Sequence, residues 1–219
     1  MKNRYLCGAI GVLLMTTGVA NAEIVASFGF TDLTGDYRSD LNRFKAVGRS
    51  ISSGDFTRID DGTAFFNDGS LTGQGTPSFY LEMTVENIDS VNKTADGTGE
   101  IRITDADGDN FVGTFSGAWL GTDFGFTFAS NTGIDFHFDG SGGDGVFNGS
   151  SGGSFTNFAD NEFFTGAVSL LFLQPTATNF FQSDFRVTNT QADGVIIPAP
   201  AGMGVLAGLG LVAARRRRA

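Results

Sequence analysis

The segment Ser78–Asn87, SFYLEMTVEN, alternates cleanly along the chain. Leu81, Met83 and Val85 fall on one side, and Tyr80, Glu82, Thr84 and Glu86 on the other. That period of two is the mark of a strand with one face in a core, because successive side chains of an extended backbone point to opposite faces. EIRIT, NFVGTFSGAW, DFGFTF, IDFHFD, GAVSLLFL and FFQSDFRVTN are further short runs rich in β-branched and aromatic residues. Gly, Asn, Asp and Ser separate them, as turn formers do. Helical periodicity is almost absent.

Roughly ten strands are expected, at spacings typical of a sandwich or barrel. The connections are too short for helical crossovers, so the pairing should be antiparallel. The expectation is an all-β fold, an antiparallel β-sandwich of jelly-roll type. DFGFTFASNTGIDFHFD reads as a hairpin, with Phe124, Phe126 and Phe128 on one strand and Phe136 and Phe138 on the next. The stretch 139–155, DGSGGDGVFNGSSGGSF, is of low complexity and reads as a loop inserted between aromatic strands.

Both ends of the chain break this pattern. Lys2 and Arg4 precede an apolar run from Leu6 to Met15, and Ala20, Asn21 and Ala22 precede Glu23. A positive start, a short apolar core and small residues before a cut make a secretory signal peptide over 1–22. The apolar run is too short to span a bilayer comfortably. At the other end, Val195 to Ala214 is apolar apart from Pro198 and Pro200, and Arg215, Arg216, Arg217 and Arg218 follow at once. As a helix, Gly202 to Ala214 would reach about 20 Å, short of the ~30 Å hydrocarbon core. Arginines after such a run hold the terminus on the cytoplasmic side. A marginal span suits a transient hold at the inner membrane better than a lasting anchor. The plan is thus a signal peptide (1–22), a β domain (23–194) and a tail (195–219), with helices at the two ends.

The tail resembles the PEP-CTERM sorting signal, in which a Pro-x-Pro element, a short apolar helix and a basic cluster are read by an exosortase. Ile197, Pro198, Ala199 and Pro200 occupy the motif position, with Ala199 where the usual motif carries glutamate. The resemblance covers about the last 25 residues. It implies cleavage by signal peptidase, removal of the tail by an exosortase-type transpeptidase, and delivery to the cell surface or extracellular matrix of a Gram-negative-type bacterium. It also implies an association with exopolysaccharide and biofilm.

Charge narrows the function further. The chain has 24 acidic and 14 basic residues, but six of the basic ones lie in the two tags. The body keeps eight against 24, a balance near −16. Such a surface repels nucleic acid and anionic membranes. The only cysteine, Cys7, lies in the signal peptide, so the body has neither disulfides nor thiol chemistry.

Candidate chemistry is sparse. In ITDADGDNFVGTFS, Asp105, Asp107 and Asp109 follow the first ligand positions of a calcium loop. Asn110 then stands in place of the required glycine and Ser116 in place of the bidentate glutamate, and a turn between two strands explains the same residues. Ca2+ is the one cofactor worth testing. His137, the only histidine, shares a strand face with Asp135 and Asp139, as a solvated sheet face would. Tyr80 and Trp119 are amphipathic rings able to stack on a sugar, and Trp119 could equally fill the core. Glu82 and Glu86 lie about 13 Å apart along one strand, too far for paired glycosidase carboxylates. No catalytic motif is evident. A non-enzymatic surface or matrix protein is therefore expected, with a carbohydrate-binding module as the alternative and a glycan-active enzyme behind it.

Overall fold

The computed structural model describes residues 23–67, 76–123, 125–139, 144–158, 164–173 and 179–198. Among the described residues twelve strands form: β1 (Ala26–Arg38), β2 (Arg43–Val47), β3 (Ser53–Arg58), β4 (Gly62–Asn67), β5 (Phe79–Asp89) and β6 (Thr94–Thr104), then β7 (Asn110–Gly121), β8 (Gly125–Asp139), β9 (Val146–Asn148), β10 (Ser154–Thr156), β11 (Phe164–Leu173) and β12 (Phe185–Pro198). The all-β, antiparallel expectation holds. The sandwich does not. Strands β1, β2, β5, β6, β7, β8, β11 and β12 pair in that order, and β12 returns to β1, with Ala26 opposite Ile196 and Tyr37 opposite Phe185. The result is a closed eight-stranded up-and-down barrel. Closure removes the unpaired edges that a two-sheet sandwich would leave. The expected terminal helices, in 1–22 and from Gly202 to Ala214, lie outside the described residues, and no described helix is long and apolar enough to cross a membrane. The expected boundary after residue 194 is corrected: β12 runs through it to Pro198, because Val195 and Ile196 pair with β1 and Val195 to Pro198 with β11.

Alternation does the sorting that the sequence promised, but rings rather than aliphatics fill the interior. On β7, Phe111, Gly113, Phe115, Gly117 and Trp119 face inward, large and small in turn. The glycines make room for neighbouring rings: a Cβ on Gly113 would stand 2.1 Å from Cδ1 of Phe136, and one on Gly97 2.9 Å from both Met83 and Phe128. This large–small alternation lets a narrow barrel close around aromatic side chains. At one end Trp119 packs on Phe44, Phe128, Phe172 and Phe181, with ring centroids 5.1–5.8 Å apart. At the other, Phe56 packs on Phe111, Phe147 and Phe155 at 5.0–5.3 Å.

Two insertions close that second end. Strands β2 and β3 follow one another along β1 and change partners between them, β2 pairing with β5 and β3 with β4. The break coincides with a bulge in β1, where Asp32 sits at φ 55°. Its carbonyl accepts from Nε of Arg49 and Oγ of Ser52 at 2.9 and 2.8 Å. The outer edge of β4 is covered by the β9–β10 turn: Phe65 N donates to Gly152 O, and Ser151 N to Phe65 O, both at 2.9 Å.

Two further expectations are corrected. The supposed hairpin of Phe126, Phe128, Phe136 and Phe138 is a single strand, β8. Two register shifts against β7 each place an extra residue on β8, so all four rings keep the same inward parity. Phe124 lies outside the described residues. The Gly/Ser-rich stretch 139–155 is not simply a surface loop either. It carries the β9–β10 hairpin, whose Phe147 and Phe155 stack 5.1 Å apart inside the barrel end.

Candidate functional sites

The loop joining β6 to β7 is a turn built on one aspartate. Oδ1 of Asp105 accepts from the backbone N–H groups of Asp107, Gly108 and Asp109 at 2.9, 2.7 and 2.8 Å, and Oδ2 accepts from Asn148 N at 2.9 Å. With both oxygens committed to N–H donors, Asp105 is not disposed as a calcium ligand. Gly108, at φ 104°, supplies the backbone conformation the turn needs. Among the described residues no three histidine, cysteine, aspartate or glutamate side chains are grouped so as to hold a metal ion. The loop is instead the dock for the capping hairpin. Asp107 Oδ2 accepts from Nδ2 of Asn148 at 2.9 Å, Asp109 Oδ2 from Nδ2 of Asn157 at 2.8 Å, and Ala106 N donates to Asn148 O at 3.0 Å. Burial pushes the Asp109 carboxyl above the ordinary carboxylate range. The bond from Asn157 opposes this, and Asp105, Asp144 and Asp107 add to it.

A cleft of about 710 Å³ lies on the outer wall, across β2, β5 and β6. Register places Tyr80 directly opposite Arg102, and Glu82 opposite both Lys45 and Glu100. Tyr80 is half-buried, its hydroxyl donates to Glu82 Oε2 at 2.5 Å, and Lys45 Nζ sits 4.6 Å from its ring centroid. Glu82 is held from its other oxygen by Arg43 at 3.2 Å. Burial first, then the bond to Glu82, pushes the phenol up to about 12, so it stays a neutral donor at any physiological pH. Lys45 and Arg102 both line the cleft, and neither has a carboxylate partner among the described residues. A half-buried ring beside two cations, with Glu100 and Asn110 nearby, offers stacking together with donors and acceptors for a polyol.

A smaller groove of about 270 Å³ adjoins it, between Arg102 and the strand face of Asp135, His137 and Asp139. That face points outward, as expected. Trp119 does not. It is 1 % exposed and donates its indole N–H to the Met83 thioether at 3.2 Å, so it belongs to the core and not to a ligand surface.

Of the tail motif, Ile197 and Pro198 are the last two residues of β12, opposite Thr165 and Phe164 of β11. Proline ends a strand naturally, having no N–H to give the next pairing. Ala199, Pro200, the arginines Arg215 to Arg218, and Ala20 and Ala22 lie outside the described residues. Sequence reasoning missed Lys45, Arg102, Asn148 and Asn157. The two cations were hidden in an acid-rich composition, and the two asparagines in a stretch that read as low complexity. Comparison with protein families, with curated proteins and with solved structures gives no match.

Proposed function

We propose that this chain is an exported, non-enzymatic protein of the cell surface or extracellular matrix, sorted by its PEP-CTERM-like tail, with the barrel as the delivered body. The observation that carries this reading is the closing pair of strands. β1 begins at Ala26 and β12 ends at Pro198, and Val25 N donates to Ile196 O at 2.9 Å. The fold therefore starts after the signal peptide and takes in Val195 to Pro198 of the tail, ending at the first proline of the Pro-x-Pro element. Cleavage after Ala22 and removal of the chain beyond the Pro-x-Pro element would leave every barrel strand in place. The test is a chain ended after Ala201, expressed in a host that carries an exosortase and compared with the full chain by fractionation. The reading expects the full chain at the surface and the shortened one free in the periplasm or medium. The same location for both would remove the sorting role from the tail.

A second reading, a carbohydrate-binding module for matrix polysaccharide, is favoured by the Tyr80 cleft. Affinity across a glycan panel, compared between the native chain and Tyr80→Ala, tests it. Binding that survives the substitution places the glycan elsewhere, and no binding at all ends this reading.

A further inference from the structure

One side-chain pair between the β6–β7 loop and the capping hairpin has two oxygens too many. Nδ2 of Asn157 donates to Oδ2 of Asp109 at 2.8 Å. The remaining oxygen of each partner, Oδ1 of Asp109 and Oδ1 of Asn157, is buried and has no hydrogen-bond partner among the described residues. Asp109 as a whole is fully buried. An ionised carboxylate and an amide oxygen are both acceptors, so neither can satisfy the other, and a buried acceptor without a donor is costly.

We propose that Asp109 is a protonated carboxylic acid whose Oδ1–H donates to Oδ1 of Asn157. This closes a two-bond acid–amide pair that latches the β9–β10 hairpin onto the barrel. One proton turns the single atom that needs to be a donor into one. It also removes a charge from a place that already holds several of the same sign. Asp105 and Asp107 stand on the same loop and Asp144 just before β9, and all three act on Asp109. From β3, the Arg58 guanidinium reaches the Asn157 carbonyl at 3.0 Å, but it is also turned to the Thr156 carbonyl and lies 3.9 Å from Asp61. Burial favours the same neutral form.

The latch responds to pH in one direction. A carboxyl that holds its proton more tightly when folded favours the docked hairpin below its folded-state pKa. That advantage is lost as pH rises through this value. Above it, the pair has three acceptor oxygens and one amide donor, and the cap end loosens while the barrel wall remains.

The test is carbon-13 NMR of the aspartate carboxyls in the intact chain, with amide exchange of Phe147 and Phe155 followed at pH 5 and pH 8. Asp109 should titrate above the usual ~4 of an aspartate. The two hairpin amides should lose protection at pH 8 beyond the intrinsic change in exchange rate. In Asp109→Asn, an amide N–H takes the place of the acid O–H, and protection should be the same at both pH values. A titration at or below ~4 in the native chain overturns the proposal whether or not the variant folds. So does a calcium-dependent shift of the Asp109 and Asn157 resonances, which would put a cation between the two oxygens. None of these outcomes depends on where the protein is sorted.

Discussion

The indole Nε1 of Trp119 donates to the thioether sulfur of Met83 at 3.2 Å, across the interior of the barrel. A thioether is a weak acceptor, yet here it is the partner the structure supplies for a buried donor on β7. Leucine at position 83 would fill a similar volume and offer no acceptor. Met83→Leu should therefore cost about 1–3 kcal/mol, most of it the penalty of an indole N–H left unsatisfied. Denaturant unfolding of the two proteins, followed by tryptophan emission, measures the difference. The native emission should be blue-shifted and poorly quenched by iodide, and equal stability of the two chains would contradict the account.

Gly113 offers a second test of the interior. Because a Cβ there would meet the Phe136 ring at 2.1 Å, Gly113→Ala must displace an aromatic side chain or the β7 backbone. Overpacking of this kind costs about 1–3 kcal/mol. A drop in the denaturation midpoint at unchanged slope is expected.

Phe147 tests the cap. Its ring is fully buried and packs on Phe56 at 5.3 Å and Phe138 at 5.5 Å. Phe147→Ala should cost about 3–5 kcal/mol, as for other buried rings. A flexible surface loop would tolerate the same change with no measurable loss.

These three tests follow the line between what the sequence reveals and what it hides. The strands were legible because alternation survives in SFYLEMTVEN and in NFVGTFSGAW, where Phe, Gly and Trp recur at every second residue. Closure was not. Sandwich and barrel share the same alternation, and only the β1–β12 register, with Ala26 on Ile196, distinguishes them. The β8 hairpin was misread because Ser130, Asn131, Thr132 and Gly133 look like a turn, whereas the structure spends them on bulges within one strand. The cap was missed because two phenylalanines at 147 and 155 carry little weight among so many glycines and serines. At the candidate sites, the Asp105 turn could be anticipated from the Asp-Gly spacing. The Tyr80–Arg102 juxtaposition could not, since it depends on a cross-strand register.

Ionisation of the wall should shape stability from both sides. Asp184 accepts the Ser39 backbone N–H at 2.7 Å and the Ser39 hydroxyl at 2.6 Å and lies 3.3 Å from Arg38 Nε. The Ser39 bonds first, then Arg38, hold it below the usual carboxylate range, so its contribution is present above that range and lost as pH falls through its lowered value. Asp55 and Asp193 do the reverse. They flank Gly29 across neighbouring strands, and Asp193 leans over the glycine. Partial burial pushes both up, and Asp55 adds to the rise at Asp193. Their ionisation opposes folding, so stability falls as pH rises through their folded-state values. The melting temperature should pass through a maximum between the lowered value of Asp184 and the raised values of Asp55 and Asp193, and Asp193→Asn should lessen the decline above that maximum. A melting temperature that climbs steadily from pH 4 to pH 8 would contradict this assignment.

The central claim is that a barrel ending at the first proline of the tail motif is exported and then freed of the signal peptide and of the chain beyond that motif. The intact mass of the protein recovered from its native host, separately from cells and medium, tests it most directly. The account predicts a chain that begins at Glu23 and has lost the arginines Arg215 to Arg218, with or without added mass at the new C-terminus. A mass that still ends at Ala219 would make the tail an ordinary membrane anchor and would contradict the sorting function.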